Sequence, residues 1–343
     1  MEENLNNPIK MVSSVSINTL NKYETLTSYK NYDCNIDNVL EKLEKHGVAV
    51  IPNILNQDEI SNMKEGIWNT LEYLSSLCKV PIDRNNPESW NTWFKFNPMN
   101  NMLIQNYSIG HSQFVWDIRQ NKNVVNVFSK IWSCNPDELI TSYDGLSFHL
   151  PPEITGKGWY KDNDWFHVDS SYTRTNFDCV QGFVTGYDIN EDDATLSILE
   201  SSNKVHDKFG ENFGNKSEYD WHRLSNEELD FYRENGCKRH NIKASAGSLI
   251  LWDSRTVHCS MEPLKTRKEP NFRLVTYVCM TPRKWCNEET LEIRRNAFEK
   301  LSMTTHCPHR PRLFKISPEN STINTPIIPK PTLTELGKKL AGY

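Results

Sequence analysis

The sequence predicts an α+β, mainly β, chain: a strand-rich core with helical cover on one side. Two observations predict this. Apolar residues at helical spacing concentrate before residue 135, whereas from about residue 140 short apolar runs alternate with turn residues. Several short strands with turns between them fit a sandwich or a barrel, and helices followed by strands place the helices over one β core. The 343 residues suit one large domain with extensions, or two small ones.

The elements follow in order. Residues 1–35 are polar and patternless and read as an N-terminal arm. IDNVLEKLEKHG (36–47) reads as a short helix stopped by Gly47. VAVIPNIL (48–55) is a β-branched apolar strand with Pro52 near its end. Asn56 and Glu59 have the spacing of a capping box. Ile60, Met63, Ile67, Leu71 and Leu74 then step by three and four along one helix face, to about residue 78. Residues 80–100, with prolines, asparagines and aromatics that look exposed, read as an irregular loop. Val124, Phe128 and Ile131 mark a further short helix, and the helical cover spans 36–135. The β core, 140–282, comprises LITSYDGLSFHL, WFHVDSSY, CVQGFVTGYDI, ATLSILE, GSLILWDS and FRLVTYVCM. NEETLEIRRNAFEKL (287–301) is a C-terminal helix that completes a single domain over 36–305, and 306–343 is a proline-rich tail, of which 306–335 runs over the surface.

Composition narrows the function classes. The hydrophobic and charged fractions, 37% and 24%, are those of a polar globular protein. A net charge of -5 without a basic stripe argues against nucleic acid. No run of 18 apolar residues suggests a membrane span, and the acidic N-terminus has no apolar signal core. Nine cysteines without a CxxC fit reduced thiols and a cytoplasmic location.

The chemistry starts at DWFHVDSSY (164–172). On a strand, residues two apart share a face, so His167 and Asp169 aim a ring nitrogen and a carboxylate at one point. Alone, that pair is as readily a polar strand end as a metal clamp. A third ligand is needed, and His258 is the best candidate, 91 residues on at the end of the apolar strand in GSLILWDSRTVHCS. Two histidines and one carboxylate on one side of a metal leave open positions, as in non-haem Fe(II) oxygenases. Such an iron commonly uses 2-oxoglutarate, whose distal carboxylate suits a bidentate arginine. Arg273 stands in NFRLVTYVCM, apolar on both faces, where a charge is costly unless paired. Either a ligand carboxylate or a buried protein carboxylate would pair it. Ser260, two residues after His258, faces the same site. Lys265, Arg267 and Lys268 lie in PLKTRKEP, a solvated loop by composition. Trp116, Arg119 and Asp144 are as readily core or surface as a substrate entrance. His306, Cys307 and His309 in THCPHRP, with Cys286, match no common zinc spacing.

The whole pattern resembles the phytanoyl-CoA dioxygenase family of Fe(II)/2-oxoglutarate oxygenases. The matching pieces are HGVAVIPNILNQDEI, WFHVD, DDATLSILESSNK, GSLILWDSRTVHCS and NFRLVTYV, within roughly residues 40–282. The resemblance implies a double-stranded β-helix, the jelly-roll of cupins. It implies His167, Asp169 and His258 as iron ligands, Arg273 and Ser260 on the 2-oxoglutarate carboxylate, and Gln105 as a further co-substrate contact. It implies a hydroxylase that consumes O2 and releases succinate and CO2; Asp169 favours hydroxylation over halogenation, with desaturation and ring formation open. The chain departs from the family where ESSNK (200–204) stands in place of Gly-Ser-His, and in the 15-residue step from His258 to Arg273. The expected partner is a small-molecule substrate, with no basic cluster for a CoA phosphate. Two rivals remain: a non-catalytic β-helix binding protein, and a cupin-type metalloenzyme working without 2-oxoglutarate. The sequence leaves substrate and oligomeric state unassigned.

Overall fold

The computed structural model describes residues 26–214, 219–314 and 323–343. Most of the expected N-terminal arm (1–25) and part of the tail (315–322) therefore lie outside the described residues.

After a short strand β1 (Tyr29–Lys30), helix α1 (Val39–His46) ends where Gly47 turns left-handed at φ 76°. Strand β2 (Val48–Ile51) is shorter than expected. Pro52 lacks a ladder donor and Asn53 turns the chain at φ 57°. The capping box of α2 (Gln57–Ser75) is present, with Asn56 accepting from the Glu59 amide and Glu59 accepting from the Asn56 amide. All five residues of the expected apolar face are buried.

Residues 80–100 depart from the expected exposed loop. They contain a 3-10 helix, Pro87–Phe96, and Trp90, Trp93 and Phe96 are buried. Trp90 packs with Trp68 and Phe272, and Trp93 meets Phe148 edge-on. Trp90, Trp93 and Phe96 step by three, the period of a 3-10 helix, which sets them on one face against the core.

Strand β3 (Leu103–Ile104), helices α3 (Gln113–Arg119) and α4 (Lys122–Trp132), strands β4 (Leu139–Thr141) and β5 (Leu146–His149), and the single turn α5 (Pro152–Thr155) follow. Then come β6 (His167–Val168), β7 (Val180–Thr185), β8 (Thr195–Leu199), α6 (His206–Phe213), β9 (His222–Arg223) and α7 (Asn226–Glu234). The remaining elements are β10 (Arg239–Ile242), β11 (Leu249–Asp253), β12 (His258–Met261), β13 (Arg273–Pro282), α8 (Glu288–Glu299) and α9 (Glu335–Ala341).

Two sheets form, one ordered β1-β10-β8-β12-β6-β9 and the other β2-β11-β7-β13-β5-β3, with β4 added on β13. Pairing is antiparallel except at the parallel β1–β10 edge. Alternation sorts the side chains. Phe183, Ile250 and Val275 of the second sheet cluster with Leu196, Ile198 and Ile242 of the first. The opposite faces, with Val184, Leu249, Leu251 and Leu274, join Ile60, Met63 and Ile67 of α2.

Two further expectations are corrected. The tail does not simply run over the surface: Cys307 and Ile328 are buried, and beyond residue 335 Leu340 and Ala341 of α9 are buried too, with the Tyr143 hydroxyl donating to the Ala341 carbonyl at 2.7 Å. Buried Arg294 donates to the Leu340 carbonyl at 3.1 Å. Arg267 is not solvated; it is buried and pairs with Glu153 and Asp193. Charged composition misleads there because paired arginines tolerate burial. No described helix is long and apolar enough to cross a membrane.

Burial lowers the pKa of His111 to about 4 and of His149 to about 3. Folded, both stay neutral in a range where the unfolded chain takes up protons, so protonation favours unfolding. Stability is expected to fall as pH drops below the ordinary histidine value of 6.5, and this contribution levels off near the folded-state values. Denaturant midpoints measured between about pH 7 and 5 check this, and His111→Gln is expected to flatten the slope.

Candidate metal and co-substrate site

Strands β6 and β12 pair antiparallel with His167 directly opposite His258, and the two rings lie 4.3 Å apart. Asp169 reaches the same point by a different route than strand alternation. β6 ends at Val168, and the Asp169 amide donates to the Ser254 carbonyl at 3.0 Å, which turns the carboxylate inward. Asp169 Oδ2 lies 3.7 Å from His167 Nε2 and 3.3 Å from His258 Nε2. Among the described residues, this is the one group of three or more metal-capable side chains with ligand atoms within 4.8 Å of one another. All three are buried.

The orientation suits a cation. His167 Nδ1 lies 3.1 Å from the Trp165 carbonyl, and His258 Nδ1 lies 2.8 Å from the Thr256 carbonyl. A carbonyl only accepts, so each Nδ1 carries the hydrogen and each Nε2 presents its lone pair to the site. Gln181 of β7 donates to Asp169 Oδ2 at 2.8 Å. Burial opposes the Asp169 charge, but His306 and His167 beside it hold the carboxyl well below its usual range. Burial, with His167 adding to it, lowers the pKa of His258 and favours the neutral, ligating ring.

Arg273 opens β13 opposite His149. Its guanidinium is buried, with Nη1 donating to the Ala194 carbonyl at 3.2 Å. Nε and Nη2 are buried with no hydrogen-bond partner. Among the described residues no carboxylate pairs with it, which argues against the salt-bridge reading. It lies against the Phe183 ring, and the Tyr277 hydroxyl beside it favours its charge against the burial penalty. Phe183, Tyr277 and Ser260 line one cavity of about 360 Å3 together with His167, Asp169 and His258. Gln105 lines it too, but its Nε2 is engaged by Asp144 Oδ1 at 2.9 Å. ESSNK does not reach the cavity. Its Ser202 Oγ accepts from the Val257 amide at 2.8 Å, next to His258.

Several lining residues escaped the sequence reading as site residues, among them Gln181, Tyr277, Trp221 and His306. Gln181 carried a signal, a polar residue inside the apolar run CVQGFV, and Tyr277 sits four residues along the strand from Arg273. Trp221 and His306 carried none.

A family model for phytanoyl-CoA dioxygenase matches residues 43–264. The chain belongs to the phytanoyl-CoA dioxygenase family. With that family it falls among the 2-oxoglutarate-dependent oxygenases, whose cofactors are Fe(II) and 2-oxoglutarate. It is 30% identical over 213 residues to the Ava biosynthesis cluster protein O of Aspergillus versicolor, across 60% of this chain and 66% of that one. A Salmonella typhimurium protein described as an oxidoreductase superposes with a TM-score of 0.60 at 12% identity, across 96% of this chain and 89% of the other. The GlcNAc-inducible gene 2 product of Candida albicans superposes at 0.53 and 15% identity, across 83% and 74%. At these identities the two structures share the fold.

The phytanoyl-CoA dioxygenase cofactors fit the residues present. Two imidazole lone pairs and a carboxylate oxygen suit Fe(II), and the two unpartnered N–H groups of Arg273 suit a carboxylate. Gln181→Leu, which removes the hydrogen bond that aims Asp169, is expected to weaken Fe(II) binding about 10–100-fold. Anaerobic calorimetry with Fe(II) measures it.

Proposed function

We propose that this protein hydroxylates a C–H bond of a small molecule, with conversion of 2-oxoglutarate and O2 to succinate and CO2. The observation that carries the reading is Arg273: a buried guanidinium with two unpartnered donors, beside the cavity that holds His167, Asp169 and His258. Uncompensated burial of such a group is expensive unless a ligand carboxylate completes it.

In this reading His167, Asp169 and His258 are the metal ligands and Arg273 holds the distal carboxylate of 2-oxoglutarate, with Ser260 and Tyr277 beside it. Gln105 serves the substrate side through Asp144, in place of the direct co-substrate contact expected of it. The bound Fe(II) and 2-oxoglutarate supply the oxidising chemistry. The chain's own groups hold geometry: the Trp165 and Thr256 carbonyls fix the ring tautomers, and Gln181 aims Asp169. Trp165, Trp221 and Trp252 wall the cavity and limit water.

The two sheets form a double-stranded β-helix within one oxygenase domain over 36–305, with 36–135 as its helical cover. A small-molecule substrate is supported by the cavity volume and by the Aspergillus versicolor relative, whose name places it in a biosynthesis cluster. The nine free cysteines support a reducing, cytoplasmic location.

Anaerobic addition of Fe(II) and 2-oxoglutarate is expected to raise a visible metal-to-ligand charge-transfer band, and its absence would sink the proposal. Arg273→Ala is expected to weaken 2-oxoglutarate at least ~100-fold, as for a buried charge pair losing one partner, and to leave Fe(II) binding in place. Unchanged 2-oxoglutarate affinity in that variant would point to a metalloenzyme working without this co-substrate. Succinate released above the uncoupled background in a metabolite screen identifies the substrate.

A further inference from the structure

The wall of the same cavity away from Arg273 carries polar groups that metal and co-substrate do not use. Asp144, in the link between β4 and β5, is buried and lines the cavity. Its position is tightly fixed: Arg119 Nη2 donates to its carbonyl at 2.6 Å, and the Gly145 amide and Gln105 Nε2 both donate to Oδ1, at 2.6 and 2.9 Å. Among the described residues no ion pair forms on its carboxylate, and Oδ2 is the oxygen left for the cavity. Gly145 has no room for a side chain, since a Cβ would lie 2.0 Å from the Ile104 carbonyl, so the link that carries Asp144 has little freedom to move.

His306 reaches the same cavity from the C-terminal side, outside the stretch matched by the family model. Its Nε2 is buried and has no hydrogen-bond partner. The segment that carries it is pinned to the Asp144 link: the Thr304 amide donates to the Tyr143 carbonyl, and the Tyr143 amide to Thr304 Oγ1, each at 3.0 Å. His306 lies close enough to Asp144 to favour the carboxylate charge, against the larger opposing effect of burial. Around them the wall is apolar and aromatic, with Met99, Leu103, Trp221 and Trp252.

We propose that Asp144 and His306 are the substrate-recognition pair of this site, and that they read a neutral hydroxyl or amide N–H on a flat, otherwise apolar molecule. A hydroxyl donates its hydrogen to Asp144 Oδ2 and accepts from an Nε2–H of His306, completing two polar groups that the protein leaves open, whereas an amide N–H makes only the first of these bonds. A cationic amine fits less well, because the buried Arg119 guanidinium, donating to the Asp144 carbonyl at 2.6 Å, already sets a positive charge against that link. The pair would orient the substrate against the metal face, which is a positioning role. The inference rests on the oxygenase reading for what happens to the molecule, and stands on its own for what binds.

Three naphthalenes substituted at the same position test it: 2-naphthol, 2-methoxynaphthalene, which cannot donate, and 2-(aminomethyl)naphthalene, a cation at neutral pH. Binding is measured by calorimetry on the metal-free protein and, anaerobically, on the protein loaded with Fe(II) and 2-oxoglutarate. The wild type is expected to prefer 2-naphthol over the ether about tenfold, the worth of one or two buried hydrogen bonds, and to bind the cation most weakly. His306→Phe and Asp144→Asn are expected to bring naphthol and ether within about twofold while each keeps the charge-transfer band, and His306→Gln to restore part of the preference. Equal binding of the two neutral probes by the wild type, no binding of any of them, or tighter binding of the cation overturns the proposal. So does a preference that survives both substitutions. Loss of the charge-transfer band in the wild type strikes the oxygenase reading alone, because the preference is also read on metal-free protein.

Discussion

The antiparallel pairing of β6 with β12 is the contact on which the site depends. It is short, with one register pair, yet it sets His167 opposite His258 and so defines where a cation can sit. β12 is held on its other side by β8 over four pairs, which gives the short contact a rigid base. Asp169 joins through Ser254, at the end of β11, and Gln181 of β7 sets its rotation. The two halves of the metal cluster thus draw on both sheets. Anything that loosened their packing through Phe183, Ile250 and Val275 would spread the three ligands apart.

The cavity concentrates groups that a stable core would not choose. Arg273 leaves two N–H donors unpartnered, His306 leaves one ring nitrogen, and Trp252 leaves its indole N–H. Each costs stability as long as it stays unsatisfied. Elsewhere the same fold satisfies buried cations more fully: Arg119 and Arg294 donate to two and three backbone carbonyls and each leaves only Nε open, and Arg267 is paired with carboxylates. The contrast sets Arg273, with two open N–H groups and one carbonyl partner, apart from arginines tied into the fold. Local disagreement with the rules of a well-satisfied core is expected where function resides.

Much of the helical half was legible because its signals are local. The capping box at Asn56 and Glu59, the apolar face of α2 and the stop at Gly47 all depend on neighbours within a few residues, and they stand as read. The strands at 180–185, 195–199, 249–253 and 273–282 were legible as apolar runs. The two-residue strands β1, β3 and β9 were not, since they exist only through their partners. The buried aromatics of 87–96 were misread for the same reason, and so was α9, whose docking on Tyr143 and Arg294 is a contact across more than 40 residues of chain.

By itself, the sequence determined the chemistry on offer: a His-x-Asp pair, a distant histidine followed two residues on by serine, and an arginine where charge is otherwise excluded. Residue type and order sufficed, because a metal of this class and a carboxylate demand particular donors. Tertiary structure alone decided the geometry and the partners. It tied the Asp169 amide to Ser254 and Gln105 to Asp144, and among the described residues it placed no carboxylate on Arg273. It also carried His306 from the tail into the cavity. The physical reason is that hydrogen-bond satisfaction is a property of space: whether a buried group is complete or open depends on neighbours that may lie a hundred residues away in the chain.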